Sequence, residues 1–368
     1  MASPTDIAAI QTSIGNRLDP IFIGDRRIAG VIGDAPSQYS RSPALWNAAF
    51  RLLEMNAVYL PFDVEENQLK HLVSTLRSSA RVLGVNVTVP HKLRIMEYLD
   101  EVDPDAARVQ AVNTVVRTQN GRLIGYNTDG AGFIESILKP QAGQTNSFIE
   151  SLRGMDVLLL GAGGSARAVA FHLSRLLDEG ELLICNRTVE QAQSLATELH
   201  KHDYNARAVP ESELSDWALR VGFIINSTTK GQAGVRRLHP NKVTTMEPYS
   251  ALGPANPILV SDRQTGSPES IIKASEEDIR NNNEISMKIA SSVSKDVRFY
   301  DVIYFPEETV FLSHARQTGH LTMNGKNMMI NQAVIAFCKR ICRAELQARG
   351  IENSETYQRV LEAMHGAW

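Results

Sequence analysis

The sequence has few cysteines, no long apolar run and no strong excess of one charge. Its 368 residues include three cysteines, too few for a disulfide framework and typical of a reducing compartment. Its 38 Lys+Arg and 41 Asp+Glu give a formal net charge of −3, so it lacks the broad basic field of proteins that bind nucleic acid or membrane surfaces. No apolar run approaches the ~18 residues of a membrane span, and the first residues lack the pattern of a secretory signal. These absences predict a cytoplasmic protein that binds neither nucleic acid nor a membrane.

The cysteines give little sign of a metal site. Cys338 and Cys342 are four residues apart and therefore share one face of a predicted helix, whereas Cys185 is distant in the sequence. A metal site would need further His or Cys partners at ligand spacing, and the neighbouring sequence offers none. We therefore interpret Cys338 and Cys342 as small buried apolar residues and expect no metal.

Strands and one helix are predicted in the first half of the chain. Residues 1–24 show no clear period, so we interpret them as an N-terminal extension of uncertain order. Ser42-Pro43 has the pattern of a helix N-cap followed by proline, which predicts a helix through Leu53. Asn120-Gly121 between two short apolar stretches indicates a β-hairpin. The predicted strands are Arg27–Gly33, Ala57–Val64, Val82–Val89, Asn113–Arg117 and Arg122–Asn127.

The second half alternates between strand and helix patterns. Met155–Leu160 is a continuous apolar run, typical of a strand buried on both faces, and a helical stretch follows it to about Leu177. Strands that alternate with helices predict a doubly wound parallel sheet. The further predicted strands are Glu181–Cys185, Phe223–Asn226 and Val302–Tyr304.

Two other stretches of the second half have distinct compositions. Residues 232–299 are rich in Gly, Pro and Asn turn signals, which are typical of long loops. The apolar sequence from Lys326 to about Arg349 predicts one long helix.

A glycine-rich turn directly follows the Met155–Leu160 strand and opens the next helix. A turn without side chains lets backbone N–H groups approach a pyrophosphate, and the helix N-terminus adds partial positive charge. We therefore favour a dinucleotide site over a purely structural turn. The residues of the turn are Gly161, Ala162, Gly163, Gly164 and Ser165.

The end of the next predicted strand indicates which dinucleotide binds. An acidic residue at that place accepts hydrogen bonds from the free ribose hydroxyl of NAD, but this sequence has Asn186, Arg187 and Thr188. Because a guanidinium suits a 2′-phosphate, the sequence predicts NADP. The alternative is that Arg187 is a solvated surface residue.

Polar residues lie near the ends of three predicted strands of the first half. Lys92 follows the strand that contains Asn86, Asn113 precedes the hairpin, and Asp129 follows it. If these ends converge, they offer amides, hydroxyls (those of Thr114 and Thr128 among them), one cation and one carboxylate to a small, hydroxyl-rich anion. A lysine ammonium can protonate the alkoxide that forms when a hydride reaches a carbonyl carbon, with Asp129 as its orienting partner. The alternative is a lysine that simply reaches solvent.

Nine segments, in this order, resemble the shikimate/quinate dehydrogenase family. Together they span most of Arg27–Phe337. The segments are SRSPALWNAAF (Ser40–Phe50), NVTVPHK (Asn86–Lys92), AVNTVV (Ala111–Val116), GYNTDGAGF (Gly125–Phe133), GAGGSARA (Gly161–Ala168), NRT (Asn186–Thr188), NSTTKG (Asn226–Gly231), DVIYFPEETVFLSHA (Asp301–Ala315) and GKNMMINQ (Gly325–Gln332).

The resemblance implies an α/β protein with a discontinuous N-terminal substrate domain and a Rossmann-type, doubly wound nucleotide-binding domain. The substrate domain would comprise residues 25–134 and 322–368, and the NADP domain residues 135–321. The implied reaction is the NADP-dependent, reversible reduction of 3-dehydroshikimate to shikimate, a step of aromatic amino acid biosynthesis. The implied substrate is thus a small cyclic polyhydroxy carboxylate, and the protein would be a monomer or a homodimer.

The resemblance also assigns roles by position. Lys92 would be the acid/base and Asp129 its partner. The substrate carboxylate would be held by Ser40, Ser42 and Tyr304, and ring hydroxyls by Asn86, Thr88, Asn113 and Gln332. NADP would be held by Gly161, Ala162, Gly163, Gly164, Ser165, Asn186, Arg187, Thr188 and Gly325.

The sequence departs from the family in two respects. Trp46 and Gln110 are bulkier than their usual counterparts, which predicts a different pocket shape. An insertion is expected at about residues 238–283, as a flap, an oligomer contact or a disordered excursion. A relative that acts on quinate or another cyclic hydroxy acid, and a non-catalytic ligand sensor, are the alternative interpretations, and the physiological direction stays open.

Overall fold

The computed structural model describes residues 5–239, 242–261 and 268–368. Its strands are β1 (Arg27–Gly33), β2 (Ala57–Asp63), β3 (Val82–Val87), β4 (Glu101–Val102), β5 (Thr114–Arg117), β6 (Leu123–Tyr126), β7 (Val157–Leu160), β8 (Leu182–Cys185), β9 (Ala206–Val209), β10 (Phe223–Asn226), β11 (Val235–His239), β12 (Lys242–Thr245), β13 (Val260–Ser261), β14 (Arg298–Asp301) and β15 (Thr322–Met323).

Helices connect and flank these strands. They are α1 (Thr5–Gln11), α2 (Pro20–Ile23), α3 (Pro36–Tyr39), α4 (Ser42–Leu52), α5 (Leu69–Ser78), α6 (Pro104–Val109), α7 (Asp129–Leu138), α8 (Gly164–Leu177), α9 (Val189–His200), α10 (Leu214–Ala218), α11 (Pro268–Ala274), α12 (Glu276–Ser292), α13 (Val310–Gln317), α14 (Lys326–Ala336), α15 (Arg343–Ala348) and α16 (Ser354–Gly366).

The chain forms two compact units. The first comprises Met1–Ser147 with Met328–Trp368, and the second comprises Phe148–Asn327. The expected boundaries after residues 134 and 321 differ from these divisions. A boundary after residue 134 would cut through α7, and one after residue 321 would remove β15, which pairs with β14 in the sheet of the second unit.

A six-stranded mixed sheet lies at the centre of the first unit, in the order β2-β1-β3-β5-β6-β4. β1 is parallel to β2 and β3, whereas β5 is antiparallel to β3 and β6. β5 and β6 form the predicted hairpin, with Gly121 at a φ of 85° in its turn. The strand predicted at Arg27–Gly33 is confirmed, and helix α4 begins at Ser42 itself rather than after it.

The edge strand β2 has its outward-facing backbone groups covered by two asparagine side chains. The Asn47 amide accepts a hydrogen bond from the Tyr59 N–H (2.9 Å) and donates one to the Tyr59 carbonyl oxygen (3.0 Å). The Asn16 amide likewise accepts from the Asp63 N–H (2.8 Å) and donates to the Pro61 carbonyl oxygen (3.0 Å). These side chains satisfy groups that a neighbouring strand would otherwise bond.

Residues 5–24 are ordered into the first unit, in contrast to the expected extension of uncertain order, and residues 1–4 lie outside the described residues. Residues 5–24 contain α1 and α2, and their apolar side chains Ile10, Leu18 and Ile23 are buried in the same core as Ile28 and Leu72. The helices span seven and four residues, which is too short for a hydrophobic period to be visible in the sequence.

The second unit contains a parallel sheet in the order β15-β14-β10-β7-β8-β9, so the doubly wound prediction is confirmed. β7 and β10 are neighbours in the sheet although β8 and β9 separate them in the chain. The strand order reverses between β7 and β10, and ligands of such sheets bind at the carboxyl ends of strands at this topological switch point.

The prediction of a strand at Val302–Tyr304 is wrong, because β14 ends at Asp301. The Asp301 carboxylate accepts a hydrogen bond from the Ile303 N–H (2.9 Å), which makes a side-chain-stabilised turn directly after the strand. The long predicted C-terminal helix is also interrupted, since Phe337–Ile341 is a π-helical turn between α14 and α15.

The cysteines are buried and free, as the sequence predicts for Cys338 and Cys342. Burial raises the pKa of the Cys338 thiol to about 12. In residues 5–239, 242–261 and 268–368, no three His, Cys, Asp or Glu side chains are grouped so as to hold a metal ion. The helices of the same ranges include none that is both long and apolar enough to cross a membrane.

Part of the expected insertion at about residues 238–283 packs into the core of the second unit. Ala251 and Leu252 share a core with Leu158 and Ile224. The fully buried Asn282 of α12 accepts a hydrogen bond from the Ser250 N–H and donates to the carbonyl oxygens of Ser250 and Pro254. Residues 240–241 and 262–267 of the expected insertion lie outside the described residues.

Asp301 is a fully buried carboxyl between β14 and the turn after β10. It accepts hydrogen bonds from the Thr309 hydroxyl (2.6 Å) and from the Asn226 amide (3.1 Å to each carboxyl oxygen). Burial raises its pKa to about 7, while the bonds from Thr309, Ile303 and Asn226 act in the opposite direction. The folded protein therefore binds this proton more tightly than the unfolded chain does.

The packing of α1 predicts a loss of stability in Ile10→Ala. Ile10 is fully buried, and removal of such a side chain typically lowers the free energy of unfolding by ~2–4 kcal/mol. The control is Ile21→Ala, since Ile21 is 93% exposed and the change is expected to stay within ~0.5 kcal/mol. Urea unfolding of both variants gives the comparison, and equal stabilities would show that α1 does not contribute to the core.

The raised pKa of Asp301 predicts a stability that falls as pH rises. Asp301 is protonated in the folded protein and ionised in the unfolded chain between pH ~4 and ~7, so unfolding becomes easier across this window by at most ~1.4 kcal/mol per pH unit. In Asp301→Asn this contribution is absent, and its free energy of unfolding should vary less between pH ~5 and ~7.5. Parallel pH profiles for the two proteins would contradict the raised pKa.

Candidate active site

Lys92 and Asp129 form a close ion pair in the first unit. Lys92 lies in the turn after β3, and Asp129 is the first residue of α7. The Lys92 Nζ atom is 2.6 Å from Asp129 Oδ2, and the two side chains are 14% and 9% exposed. The helix N-terminus favours the negative charge of Asp129. The pair thus combines a proton donor with a fixed carboxylate, both largely buried.

The amide of Asn113 lies at the centre of the hydrogen bonds around this pair. Asn113 Nδ2 donates to Asp129 Oδ1 (2.7 Å) and to Thr128 Oγ1 (3.0 Å). Asn113 Oδ1 accepts from the Thr128 N–H (2.8 Å) and from the Thr114 hydroxyl (2.9 Å). Because both ends of the amide are engaged, Asn113 fixes the orientation of the Asp129 carboxylate.

Gln332 reaches the same network from α14. Its Oε1 atom accepts from the Thr128 hydroxyl (3.2 Å) and its Nε2 atom donates to the Met329 carbonyl oxygen (3.1 Å). Helix α7 approaches α14 closely because Gly132 has no side chain. A Cβ atom at Gly132 would lie 2.6 Å from the Gln332 backbone nitrogen. A glycine in the GYNTDGAGF segment is therefore required to bring Asp129 and Gln332 together.

Asn86, at the end of β3, joins the network from the other side. Its Nδ2 atom donates to the Asn113 carbonyl oxygen (3.2 Å) and to the Thr114 hydroxyl (3.1 Å). Its Oδ1 atom accepts from the Tyr59 hydroxyl at 2.7 Å. The sequence thus predicts Lys92, Asp129, Asn86, Asn113 and Gln332, and the structure brings all five into one network.

The network contains three further residues to which the sequence assigns no individual role: Tyr59, Thr114 and Thr128. Thr114 and Thr128 stand beside predicted residues, in the AVNTVV and GYNTDGAGF segments. Tyr59 had no such signal, because an aromatic residue in an apolar strand is typical of a core position.

Of the remaining predicted substrate residues, Ser40, Ser42 and Thr88 belong to the first unit and Tyr304 belongs to the second. The Ser40 hydroxyl accepts a hydrogen bond from the Ser42 N–H (3.2 Å), and Ser42 is buried. The Thr88 backbone N–H bonds the Ile32 carbonyl oxygen (2.8 Å). Tyr304 is a half-buried residue of the second unit, just after β14.

The glycine-rich turn lies at the topological switch point of the second unit. Gly161 has a φ of 112°, and a Cβ atom there would be 3.0 Å from the Ser227 carbonyl group, which follows β10. Cβ atoms at Gly163 and Gly164 would instead point into open space among the described residues. Helix α8 begins at Gly164, so its free N–H groups are accessible to a phosphate, and the turn fits a dinucleotide.

The segment after β8 offers a cation. Arg187 and Thr188 are exposed. Asn186 shapes the turn by donating to the Thr188 carbonyl oxygen (2.9 Å) and to Gln191 Oε1 (3.0 Å). The exposed guanidinium fits a 2′-phosphate, and residues 186–188 include no carboxylate that would repel it.

Gly325 has a structural reason to be glycine. A Cβ atom there would collide with the Val302 carbonyl oxygen, so the backbone segments that follow β14 and β15 could not approach. Its expected role in cofactor binding stays a prediction.

Trp46 and Gln110 occupy different environments. Trp46 is fully buried and stacks on Tyr59 at a ring-centroid distance of 4.7 Å. Gln110 is exposed at the C-terminus of α6 with a φ of 56°, a conformation that favours glycine. The large Trp46 side chain thus fits within the core, whereas the Gln110 side chain extends into solvent.

Comparison with known proteins gives one consistent result. The sequence model of the shikimate dehydrogenase substrate binding domain matches residues 31–115, and that of shikimate/quinate 5-dehydrogenase matches residues 144–251. A shikimate dehydrogenase (NADP(+)) of Methanococcus maripaludis is 33% identical over 84% of this chain and 90% of its own length.

Solved structures agree with the sequence comparison. The chain is similar to shikimate 5-dehydrogenase from Thermus thermophilus in complex with NADP(H) and shikimate, with a TM-score of 0.63, 27% identity and coverage of 93% and 99% of the two chains. It is also similar to quinate dehydrogenase from Corynebacterium glutamicum in complex with NAD, with a TM-score of 0.65, 25% identity and coverage of 93% and 100%. Two matched family models and full-length relatives therefore agree that the chain belongs to the shikimate/quinate dehydrogenase family.

Proposed function

We propose that this protein is an NADP-dependent dehydrogenase that interconverts 3-dehydroshikimate and shikimate. The observation that carries the proposal is the 2.6 Å pair of Lys92 and Asp129 inside a network of amides and hydroxyls. Such a network matches a small acid with several ring hydroxyls, since each polar group has a fixed direction for a complementary partner. A ligand sensor would not need a positioned proton donor, so the sensor alternative is not favoured.

Lys92 acts as the acid/base of the reaction. When bound, NADPH supplies a hydride to the carbonyl carbon of the substrate. The Lys92 ammonium gives a proton to the carbonyl oxygen, which becomes the product hydroxyl. In the oxidation direction the neutral amine takes that proton back. Asp129 orients the Lys92 side chain and accepts a hydrogen bond from a neighbouring substrate hydroxyl.

The other predicted residues bind the substrate. Ser40 and Ser42 hold the carboxylate, because hydroxyl groups donate hydrogen bonds to it without adding charge, and the role of Tyr304 stays a prediction. Ring hydroxyls contact Asn86, Thr88, Asn113 and Gln332. The fixed amide of Asn86 supports this role, since a group already held by neighbours needs little ordering when the substrate binds. The Asn113 amide uses its donor and acceptor positions within the network, so a substrate hydroxyl bound there takes the place of one of these bonds.

The cofactor residues divide into two groups. The backbone of Gly161, Ala162, Gly163, Gly164 and Ser165 binds the pyrophosphate, and Gly325 belongs to the same site. Asn186, Arg187 and Thr188 bind the 2′-phosphate side of the adenosine. The exposed Arg187 supports a preference for NADP over NAD.

The cytoplasmic location and the oligomeric state stay predictions. Three free and buried cysteines support a reducing compartment. Both a monomer and a homodimer are compatible with the proposed reaction.

A substrate and cofactor panel tests the proposed function. Shikimate and quinate are each assayed with NADP and NAD by the absorbance of the reduced nicotinamide. We expect shikimate with NADP to give the highest kcat/KM. A clear preference for quinate would overturn the substrate assignment and leave the reaction class intact, whereas no turnover of either acid would overturn the function.

Replacement of Lys92 tests its proposed role in proton transfer. In Lys92→Ala we expect kcat to fall by ~10²–10⁴-fold, as is usual for the loss of a general acid or base, while the Kd of shikimate stays within about fivefold. Lys139→Ala is the matched control, because the Lys139 side chain is 60% exposed and its amine pairs with Glu135. Wild-type turnover in Lys92→Ala would exclude the proposed mechanism.

Replacement of Arg187 tests the cofactor assignment. Arg187→Ala removes the proposed partner of the 2′-phosphate, so the KM of NADP should rise by about 10–100-fold, while the KM of NAD stays nearly constant. Arg207→Ala is the control, since the Arg207 side chain is 56% exposed and pairs with Glu181. An equal rise in the KM of NADP and of NAD would show that Arg187 does not bind the 2′-phosphate.

A further inference from the structure

Helix α4 and strand β2 hold Tyr59 in one position. The Asn47 amide bonds both backbone groups of Tyr59, as described for the sheet edge. The Trp46 ring stacks on the Tyr59 ring with an interplanar angle of 25°. Trp46 in turn packs against Phe50 and Phe337, with ring centroids 6.1 and 5.2 Å away. Two consecutive residues of α4 therefore fix both the backbone and the ring of Tyr59.

The Tyr59 hydroxyl is hydrogen-bonded to the network of amides and hydroxyls around Lys92 and Asp129. Tyr59 is 1% exposed, and its hydroxyl is 2.7 Å from Asn86 Oδ1. Burial raises the pKa of Tyr59 well above its usual range, and a hydrogen bond with the Ser42 side chain acts in the opposite direction. The phenol thus stays protonated and donates its hydrogen bond to Asn86.

The bond from Tyr59 determines what Asn86 can offer to a ligand. Both Nδ2 protons of Asn86 are directed to the Asn113 carbonyl oxygen and the Thr114 hydroxyl. The Tyr59 hydroxyl uses one lone pair of Asn86 Oδ1, so the second lone pair remains as the open position of the amide. In this orientation Asn86 accepts a hydrogen bond from a substrate hydroxyl and does not donate one.

We propose that Tyr59 is a positioning residue of the substrate site, which fixes the Asn86 amide with its oxygen available to a ring hydroxyl. This inference rests on the proposed function of Asn86 in substrate binding. It explains why a hydroxyl-bearing aromatic residue occupies a buried strand position where an apolar residue would pack equally well.

Tyr59→Phe tests the proposal with the smallest possible change. The ring stack remains, but Asn86 Oδ1 loses its donor, so the amide is held only by the two hydrogen bonds from Nδ2 and its oxygen is less firmly positioned. We expect the KM of shikimate to rise about 5–30-fold, as for the loss of one buried hydrogen bond, with kcat within about threefold and the KM of NADP unchanged. Tyr357→Phe is the matched control, because it removes a phenol hydrogen bond to Glu135 elsewhere in the first unit. The KM of shikimate should stay at the wild-type value in the control.

A double-mutant cycle with Asn86→Ala separates positioning from a general structural effect. If Tyr59 acts through Asn86, Tyr59→Phe adds less than about twofold to the KM of shikimate in the Asn86→Ala background. An unchanged KM in Tyr59→Phe overturns the proposal, as does an equal rise in both backgrounds.

A second variant keeps the test decisive if Tyr59→Phe does not fold. Trp46→Phe loosens the ring stack and keeps the phenol, so the KM of shikimate should rise by a smaller factor, about 2–5-fold. This rise should also vanish in the Asn86→Ala background, and its persistence there overturns the proposal. Failure of the proposed function is distinguishable, because it appears as a wild-type protein that does not turn over shikimate.

Discussion

The contact between the Lys92 amine and the Asp129 carboxylate depends on the whole architecture of the first unit. Lys92 follows β3, Asp129 begins α7, and Asn113, which holds the carboxylate, precedes β5. Gln332 is contributed by α14, more than 200 residues further along the chain than Asn113 (332 − 113 = 219). A charged pair with little access to water is costly unless its remaining hydrogen-bonding positions are filled, and here amides and hydroxyls fill them. The network therefore orders the site before any ligand is present.

The second unit follows a different physical rule. Its ligand position is set by the order of strands, since β7 and β10 are adjacent while the chain leaves to opposite sides after each. Gly161 brings the two strand ends within contact, and Gly163 and Gly164 leave the start of α8 uncovered. At the turn between β7 and α8, the groups available to a ligand are therefore backbone groups rather than side chains.

Much of the site could be predicted from the sequence because its residues occur at strand ends and in short polar motifs. Lys92, Asp129 and Asn113 stand out there, since a cation, a carboxylate and an amide need a reason to follow apolar strands. Tyr59 gave no such signal, because its function depends on a neighbour 27 residues away (86 − 59 = 27) that only the sheet brings to it.

The errors in the fold have similar causes. The strand at Val302–Tyr304 was predicted from apolar residues, but the carboxylate of Asp301 ends β14 before them. The two N-terminal helices are too short to display a period, although Ile10 and Ile23 are fully buried. In the first case a local side-chain hydrogen bond ends the strand, and in the second case burial in the core orders helices whose sequence shows no period.

The asparagine side chains along β2 have a consequence for the behaviour of the protein at high concentration. An uncovered edge strand is a template on which another molecule can add a strand, and this is a common route to aggregation. Asn47 and Asn16 occupy the outer hydrogen-bonding positions of Tyr59, Pro61 and Asp63, and the Gly15 N–H bonds the Asp63 carbonyl oxygen (2.7 Å). The first sheet is thereby closed to intermolecular strand pairing along this edge, without a charged residue or an additional strand.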